Sequence, residues 1–507
     1  MVRFDRFVGV VLVLAGIAGA GEHAQWGQRF TRNMVSDETG LVAAFDPETG
    51  RNVKWVADLG SETWATPVIA KGRVFIGTNN HRGPDPRHKG DRALLLCLDE
   101  QDGSVLWQLT VPKLGPDPYL DWPRSGVVSP VTVEGDRVYV VTNRGEAVCL
   151  DIEGQANGND GPYRDEGRHM VPEGDEPMEV KATDADILWL YDIPNQAGTY
   201  PHDAAHASIL LDGDLLYINT SNGVDNTHRR IRGPGGPSLI VLDKRSGRLL
   251  ARDREGIGPR IFHSTWSSPA LGVVDGRRLI FFAGGDGIVY AFKGLQETPP
   301  VGTVETLECI WRFDGDPNAP KENVSEYLRN REVSPSNVKS MPVFVDGRLY
   351  ITLGGDIWWG KRQAWLQCVD VTGRDASGAL LPRLLWSHDL SRHCCATPAV
   401  YDGLVFVVDS GRLIHCVDAR TGEACWTHET DGDMWASPLV ADGKLYVGTR
   451  RRDFWVLAAA REKKVLHEIK LDSGIASTAA AANGVLYVTT MEKLYALESP
   501  AHASASQ

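Results

Sequence analysis

One unit recurs eight times along this chain: a tight turn followed by a short β-forming run. It reads Lys71-Gly72-Arg73-Val74-Phe75, Gly135-Asp136-Arg137-Val138-Tyr139 and Asp212-Gly213-Asp214-Leu215-Leu216-Tyr217. It returns at Asp275-Gly276, Asp346-Gly347-Arg348-Leu349-Tyr350, Asp402-Gly403-Leu404-Val405-Phe406, Asp442-Gly443-Lys444-Leu445-Tyr446 and Asn483-Gly484-Val485-Leu486-Tyr487. Asp-Gly and Asn-Gly supply the positive φ of hairpin turns, and the aromatic suits a half-buried sheet face. Long 3.6-residue periodicities are scarce, so the pattern reads as all-β.

A second unit is a strand ending in Asp, a Gly turn and a strand bearing Trp. Asp99, Gly103 and Trp107 show it, as do Asp418, Gly422 and Trp426; Asp243 and Gly247 keep the turn but place Ala251 at the Trp position. Most hairpins are led by Ser-Pro, Thr-Pro or a close variant: Thr66-Pro67, Ser129-Pro130, Ser268-Pro269, Met341-Pro342, Thr397-Pro398 and Ser437-Pro438. Eight copies with four short strands each predict an eight-bladed β-propeller; two packed sandwiches would not repeat one motif eight times. The last copy has three strands, and Asn52-Val53-Lys54-Trp55-Val56 is a Trp strand with no hairpin before it. The N-terminal strand is therefore expected to close the last blade, which removes the free sheet edges.

The Leu-Asp-x-x-x-Gly-x-x-x-Trp repeat with Ser-Pro-led hairpins resembles the pyrroloquinoline-quinone (PQQ-like) propeller repeat. The resemblance covers residues 52–499, with an insertion at 152–186 in the second blade. That family holds quinoprotein dehydrogenases and also non-enzymatic scaffolds, such as the periplasmic lipoprotein of the outer-membrane barrel-assembly machine. It therefore implies a fold and leaves function open.

Residues 1–20 form a separate object. Arg3 and Arg6 precede an apolar run from Phe7 to Ala18, and Ala18-Gly19-Ala20 is a small-x-small cleavage signal. This is the grammar of a secretory signal peptide, so a periplasmic or secreted mature protein without a transmembrane anchor is expected. Residues 21–51 read as a lead-in and 500–507 as a disordered tail. The formal net charge of −13 argues against nucleic-acid or anionic-lipid partners. A monomer is expected.

Cys97, Cys149, Cys368 and Cys416 share one repeat position, two before Asp99, Asp151, Asp370 and Asp418; other copies place Ala or Val there. A slot that takes Cys, Ala and Val is a small core site, and equivalent positions in different blades lie beyond disulfide reach. Cys394-Cys395 falls outside that register. No Cys-x-x-Cys-His occurs, which excludes covalently attached c-type haem.

Chemistry is expected where the loops leading into the innermost strands converge on the channel mouth. Those loops carry Trp64, Asp121-Trp122-Pro123-Arg124, His202, Asp203, His206, His263, Trp266, Lys339, Arg392, His393, Cys394, Cys395 and Trp435. Arg124, Lys339 and Arg392 suit carboxylates, and Trp266 or Trp435 suits a flat ring. The alternative is that these side chains only plug the channel. His202-x-x-x-His206 would hold a metal only if its segment folded to bring both rings together.

The resemblance adds a cofactor expectation, PQQ with calcium. It would draw on Cys394-Cys395 as a disulfide facing the quinone, Asp203 or Asp121 as base, and oxygens from Asn222, Asp225 and Asn226. Against it, the Cys pair lies in the sixth repeat, later than in the enzymes, and the Trp-rich motif of that family is not evident. Two functions stay open at this point. One is a non-catalytic scaffold binding a protein or a small ligand at its mouth; the other is a PQQ- and calcium-dependent oxidoreductase acting on alcohols or sugars. Trp358-Trp359, in the connection Gly354 to Arg362, is expected to pack on a neighbouring blade or to form an exposed recognition patch.

Overall fold

The computed structural model describes residues 21–115 and 117–499, and it is an eight-bladed β-propeller. The expected leader at 1–20 and tail at 500–507 lie outside the described residues. Among the described residues no helix is long and apolar enough to cross a membrane. Each blade is built on four antiparallel strands that run outward from the axis, with a short parallel strand added in blades three and seven. Blade one, for example, pairs Val68–Ala70, Arg73–Asn79, Arg92–Asp99 and Val105–Pro112 in sequence order. Blade eight is completed from the other end of the chain: Val53–Asp58 pairs with Lys493–Glu498 outside Val485–Thr489 and Ala480–Ala482.

The repeated motif has a mechanical meaning. In five blades the indole of the outer-strand Trp reaches to the next blade and donates to a carbonyl just past its third strand, in four of them the one after the motif Asp, while the Trp311 indole N–H is buried without a partner. Trp55 donates to Glu100 O at 3.0 Å, Trp107 to Ile152 O at 2.9 Å, Trp189 to Lys244 O at 3.0 Å, Trp386 to Ala419 O at 3.1 Å and Trp426 to Ala460 O at 2.9 Å. The turn Gly forms the floor under that ring. A Cβ on Gly422, at φ +79°, would stand 2.7 Å from the Trp386 ring. The four register cysteines sit between aromatics of adjacent strands: Cys97 faces Phe75 on one side and Trp107 on the other. All four are free and buried.

From blade five round to blade one, the Ser/Thr-Pro positions are linked by blade-to-blade hydrogen bonds around the axis. Met341 N donates to Thr397 Oγ1 at 3.0 Å and Thr397 N to Ser437 Oγ at 2.9 Å. Ser437 N donates to Thr478 Oγ1 at 3.2 Å, and Thr478 N to Thr66 Oγ1 at 3.3 Å, which links blade eight to blade one.

The lead-in is a structural part of the propeller. Its backbone crosses the innermost strands of successive blades, where Ile69, Val133, Leu271, Phe344 and Val440 donate to His23, Ala24, Phe30, Thr31 and Met34. Arg32 is fully buried among carbonyls. It donates to Pro269 O, Trp26 O, Ser208 O and Ser208 Oγ at 2.9–3.0 Å, and burial pulls its pKa down to about 9. This segment plugs the channel, and Trp26 forms part of the base of the cavity above it.

Candidate functional site

At the other side of that plug the channel opens into a cavity of about 660 Å³. Two sets of loops build its wall. One set leads into the innermost strands and supplies Trp64, Tyr119, Trp122, Asp203, His206, His263, Trp266, Lys339, Cys395 and Trp435. The other joins the second and third strands of blades three, five and seven, and supplies His228, Trp358, Trp359 and Arg450. In a four-stranded antiparallel blade both kinds of loop emerge at the same end. The Trp358-Trp359 connection is therefore no exterior patch: its Trp358 ring packs on the loop that enters the neighbouring blade four, at His263 and Trp266. The connection folds into the mouth, where Trp358 meets Trp435 and Trp266 edge-on at 5.4 and 6.1 Å.

Asp356 organises this wall. It is fully buried, and its Oδ2 accepts from Lys339 Nζ at 2.7 Å and from His263 Nδ1 at 2.9 Å. Its Oδ1 accepts from the backbone N–H of Trp358 and Trp359 at 2.9 and 3.0 Å, so the same carboxylate places both rings. Burial opposes its charge, but Lys339 and His263 outweigh burial and hold the carboxyl well below the usual carboxylate range. The Lys339 ammonium lies 4.3 Å from the Trp266 ring centre and 4.4 Å from that of Trp358, a cation between two π faces.

Three imidazoles meet beside it. The ring centres of His202 and His228 and of His202 and His263 are 4.7 Å apart, and those of His228 and His263 are 5.3 Å apart. His202 Nδ1 bonds Val224 O at 2.7 Å. The Nε2 atoms of His202 and His263 are buried without a partner. Burial, and then the neighbouring His263, push the His202 pKa down to about 2, and the same causes lower that of His228. Asp203, at φ +68°, brings its carboxylate to 3.6 Å from His202 Nε2 and 4.0 Å from His263 Nε2. Burial raises its pKa.

Of the residues expected from the sequence, Asp203, His206, His263, Trp266, Lys339, Cys395 and Trp435 reach the cavity wall. His202 lies buried behind it. His206 does not join His202: its ring lies against that of Trp266, tilted at 52° with centres 5.0 Å apart, and burial takes its pKa to about 4. Arg124 is exposed and paired with Glu62 at 3.2 Å, and Arg392 is exposed; neither lines the cavity. His393 is buried off the wall, with burial pushing its pKa to about 3. Cys394 and Cys395 are both free thiols. Cys394 turns into the core, its Sγ on Val408 O at 2.9 Å, while Cys395 faces the cavity with its pKa raised by burial to about 11. Asp121 is a buried loop clamp that accepts from Lys113, Leu114 N and Asn143. Asn222 is spent on Gly233 O and Asp225 on Thr227, both within their own loops.

These residues do not fit PQQ with calcium. The quinone is a planar tricarboxylate, and calcium takes six to eight oxygen ligands. The wall offers two cations: Lys339, held by Asp356, and Arg450, 3.3 Å from Asp433. Beside Asp203 stand nitrogen donors, and the adjacent cysteines point to different places.

The family model described as outer membrane protein assembly factor BamB matches residues 28–156, 91–254 and 371–501. A quinohemoprotein alcohol dehydrogenase from Comamonas testosteroni is 33% identical over 98 residues, 17% of this chain and 14% of that protein. The chain thus spans a small part of that relative's length. Among solved structures, BamB from Moraxella catarrhalis is similar with a TM-score of 0.52 at 12% identity, covering 88% of this chain and 98% of that one. The quinohemoprotein alcohol dehydrogenase ADHIIG from Pseudomonas putida HK5 also gives 0.52 at 12% identity, covering 94% and 80%. At such identities the likeness is one of fold.

Proposed function

We propose that this chain, which belongs to the PQQ_2 family described as outer membrane protein assembly factor BamB, is an exported, non-catalytic binding propeller that captures a small ligand at its mouth. The observation that carries this reading is the composition of the wall. Trp64, Trp122, Trp266, Trp358, Trp359, Trp435 and Tyr119 surround one cavity, and the indole N–H groups of Trp266 and Trp435 are buried without a partner. An apolar aromatic wall with a few polar groups on it, here Asp203, Lys339 and Arg450, is what a small-ligand pocket requires. The ligand that suits it has a flat or ring-shaped apolar face and hydroxyl or carboxylate oxygens at its edge. Its face stacks on indole, and its oxygens meet the Arg450 guanidinium. The blade geometry is shared by scaffold and dehydrogenase relatives and does not separate them. The donor set at the mouth supports the binding reading over quinone chemistry.

Thermal melting against monosaccharides, aromatic carboxylic acids and PQQ with calcium tests it, because a ligand well above its Kd must raise the melting temperature. The expected result is stabilisation by a ring ligand, with affinity reduced at least tenfold in Trp266→Ala. Stabilisation by PQQ with calcium, accompanied by dye reduction with an alcohol or sugar, would overturn the reading and establish the oxidoreductase.

A further inference from the structure

We propose that His202, His228 and His263, completed by the Asp203 carboxylate, bind one divalent transition-metal ion of the zinc class in the wall of the mouth. The ligand atoms that the three buried imidazoles offer lie within 4.8 Å of one another. Around zinc, with bonds of about 2.0–2.1 Å, tetrahedral ligand atoms stand about 3.4 Å apart, so small side-chain movements close the site. The tautomers are set from behind. His263 Nδ1–H donates to the Asp356 carboxylate and His202 Nδ1–H to the Val224 carbonyl. This is the outer-shell arrangement that orients metal-binding histidines. Each donation leaves a lone pair on Nε2, and both Nε2 atoms are buried with nothing to accept from. Two such lone pairs aimed into one space repel each other unless a cation lies between them.

Three nitrogens and one carboxylate are a donor set for zinc, or for copper, iron or manganese, and not for calcium or magnesium. Asp203, His228 and His263 also line the cavity, so an ion held there can expand to five-coordination by taking a hydroxyl or carboxylate oxygen from the ligand pocket. Among the described residues one other cluster gathers potential metal ligands, Asp85, His88 and Asp184. Arg87 and Lys181 already pair with its two carboxylates, Arg87 at 2.6 Å from Asp85 and 3.6 Å from Asp184 and Lys181 at 3.5 Å from Asp85. The metal proposal does not depend on the identity of the organic ligand, since the ion is bound by the chain alone.

The test uses the full mature chain, stripped with a chelator and shown by circular dichroism to keep its β signature. Cobalt(II) should bind with the visible bands of a nitrogen-rich four- or five-coordinate site and be displaced by one equivalent of zinc in calorimetry. His228→Ala should weaken zinc at least tenfold, and Asp356→Asn should weaken it 10- to 100-fold through the orientation of His263. His81→Ala, on an exposed turn, should leave it unchanged. His228 lies in a loop outside the blade sheets, so its variant keeps the question answerable if Asp356→Asn fails to fold. Absence of cobalt bands, or equal zinc affinity in folded wild type and folded His228→Ala, would overturn the proposal.

Discussion

Small side chains matter in this molecule where two large ones leave a fixed gap. Cys97, Cys149, Cys368 and Cys416 fill the same gap between aromatics on the second and outer strands, which is why Ala and Val serve in other copies. Burial raises each thiol, to about 12 for Cys149 and about 11 for Cys368. Labelling of these four in native protein should be slow, and complete in denaturant without reductant. Cys97→Ala should cost about 1 kcal/mol in denaturant unfolding. Asp409 carries a different kind of prediction. Burial opposes its charge, but His415 Nε2 at 3.0 Å, Ser391 and the Leu413 N–H outweigh burial and lower its pKa. A carboxyl depressed in the folded state stabilises above its unfolded pKa of about 3.9, and that contribution is lost as pH falls through the folded value. Asp409→Asn should therefore lower stability at pH 7 by about 2 kcal/mol and flatten the acid limb of the stability profile below about pH 4.

The working element is the Trp clamp between neighbouring blades. It couples an indole donor, a carbonyl after the motif Asp and a glycine floor, so its parts should fail separately. Trp107→Phe keeps most of the apolar contact and should cost about 1–2 kcal/mol; Trp107→Ala should cost about 3–5 kcal/mol. Gly422→Ala meets both a positive φ and the Trp386 ring, and should cost about 2–3 kcal/mol by the same unfolding assay. This element was legible because the Asp-Gly-Trp unit that supplies its parts is short and recurs, although each Trp is used against the Asp-Gly turn of the next blade. The mouth was only half legible. Loops entering the innermost strands follow directly from the Ser/Thr-Pro register, and they yielded Asp203, His263, Trp266, Lys339 and Trp435. His228, Trp358, Trp359, Asp356 and Arg450 come from the loops between second and third strands, which antiparallel pairing returns to the same end. Applying that alternation to the eight hairpins would have pointed to Gly355–Lys361 and to the Ser221–His228 segment. Nothing local in the sequence signals that His202 turns away from His206 toward His228.

At the scale of the whole molecule the propeller is held by its chain start as well as by its blades. The segment from His23 to Ser36 joins inner strands from one side of the axis to the other, and Val35–Ser36 adds a parallel strand inside blade seven. No repeat pattern encodes that path, so composition offered only a lead-in. Arg32→Ala would leave three buried carbonyls without their donor, and should cost about 3 kcal/mol and make native protein more sensitive to protease. The plug also gives the mouth a floor, which turns a through-channel into a pocket able to retain a ligand. On this account one end of a repeat-built scaffold carries a nitrogen-rich, aromatic-walled site, and the rest of the molecule holds it rigid. The most direct measurement is the metal and cofactor content of protein purified from its native host without added metals. One zinc-class ion per chain, with no quinone absorbance, is the predicted result. Stoichiometric calcium together with a bound quinone would contradict it.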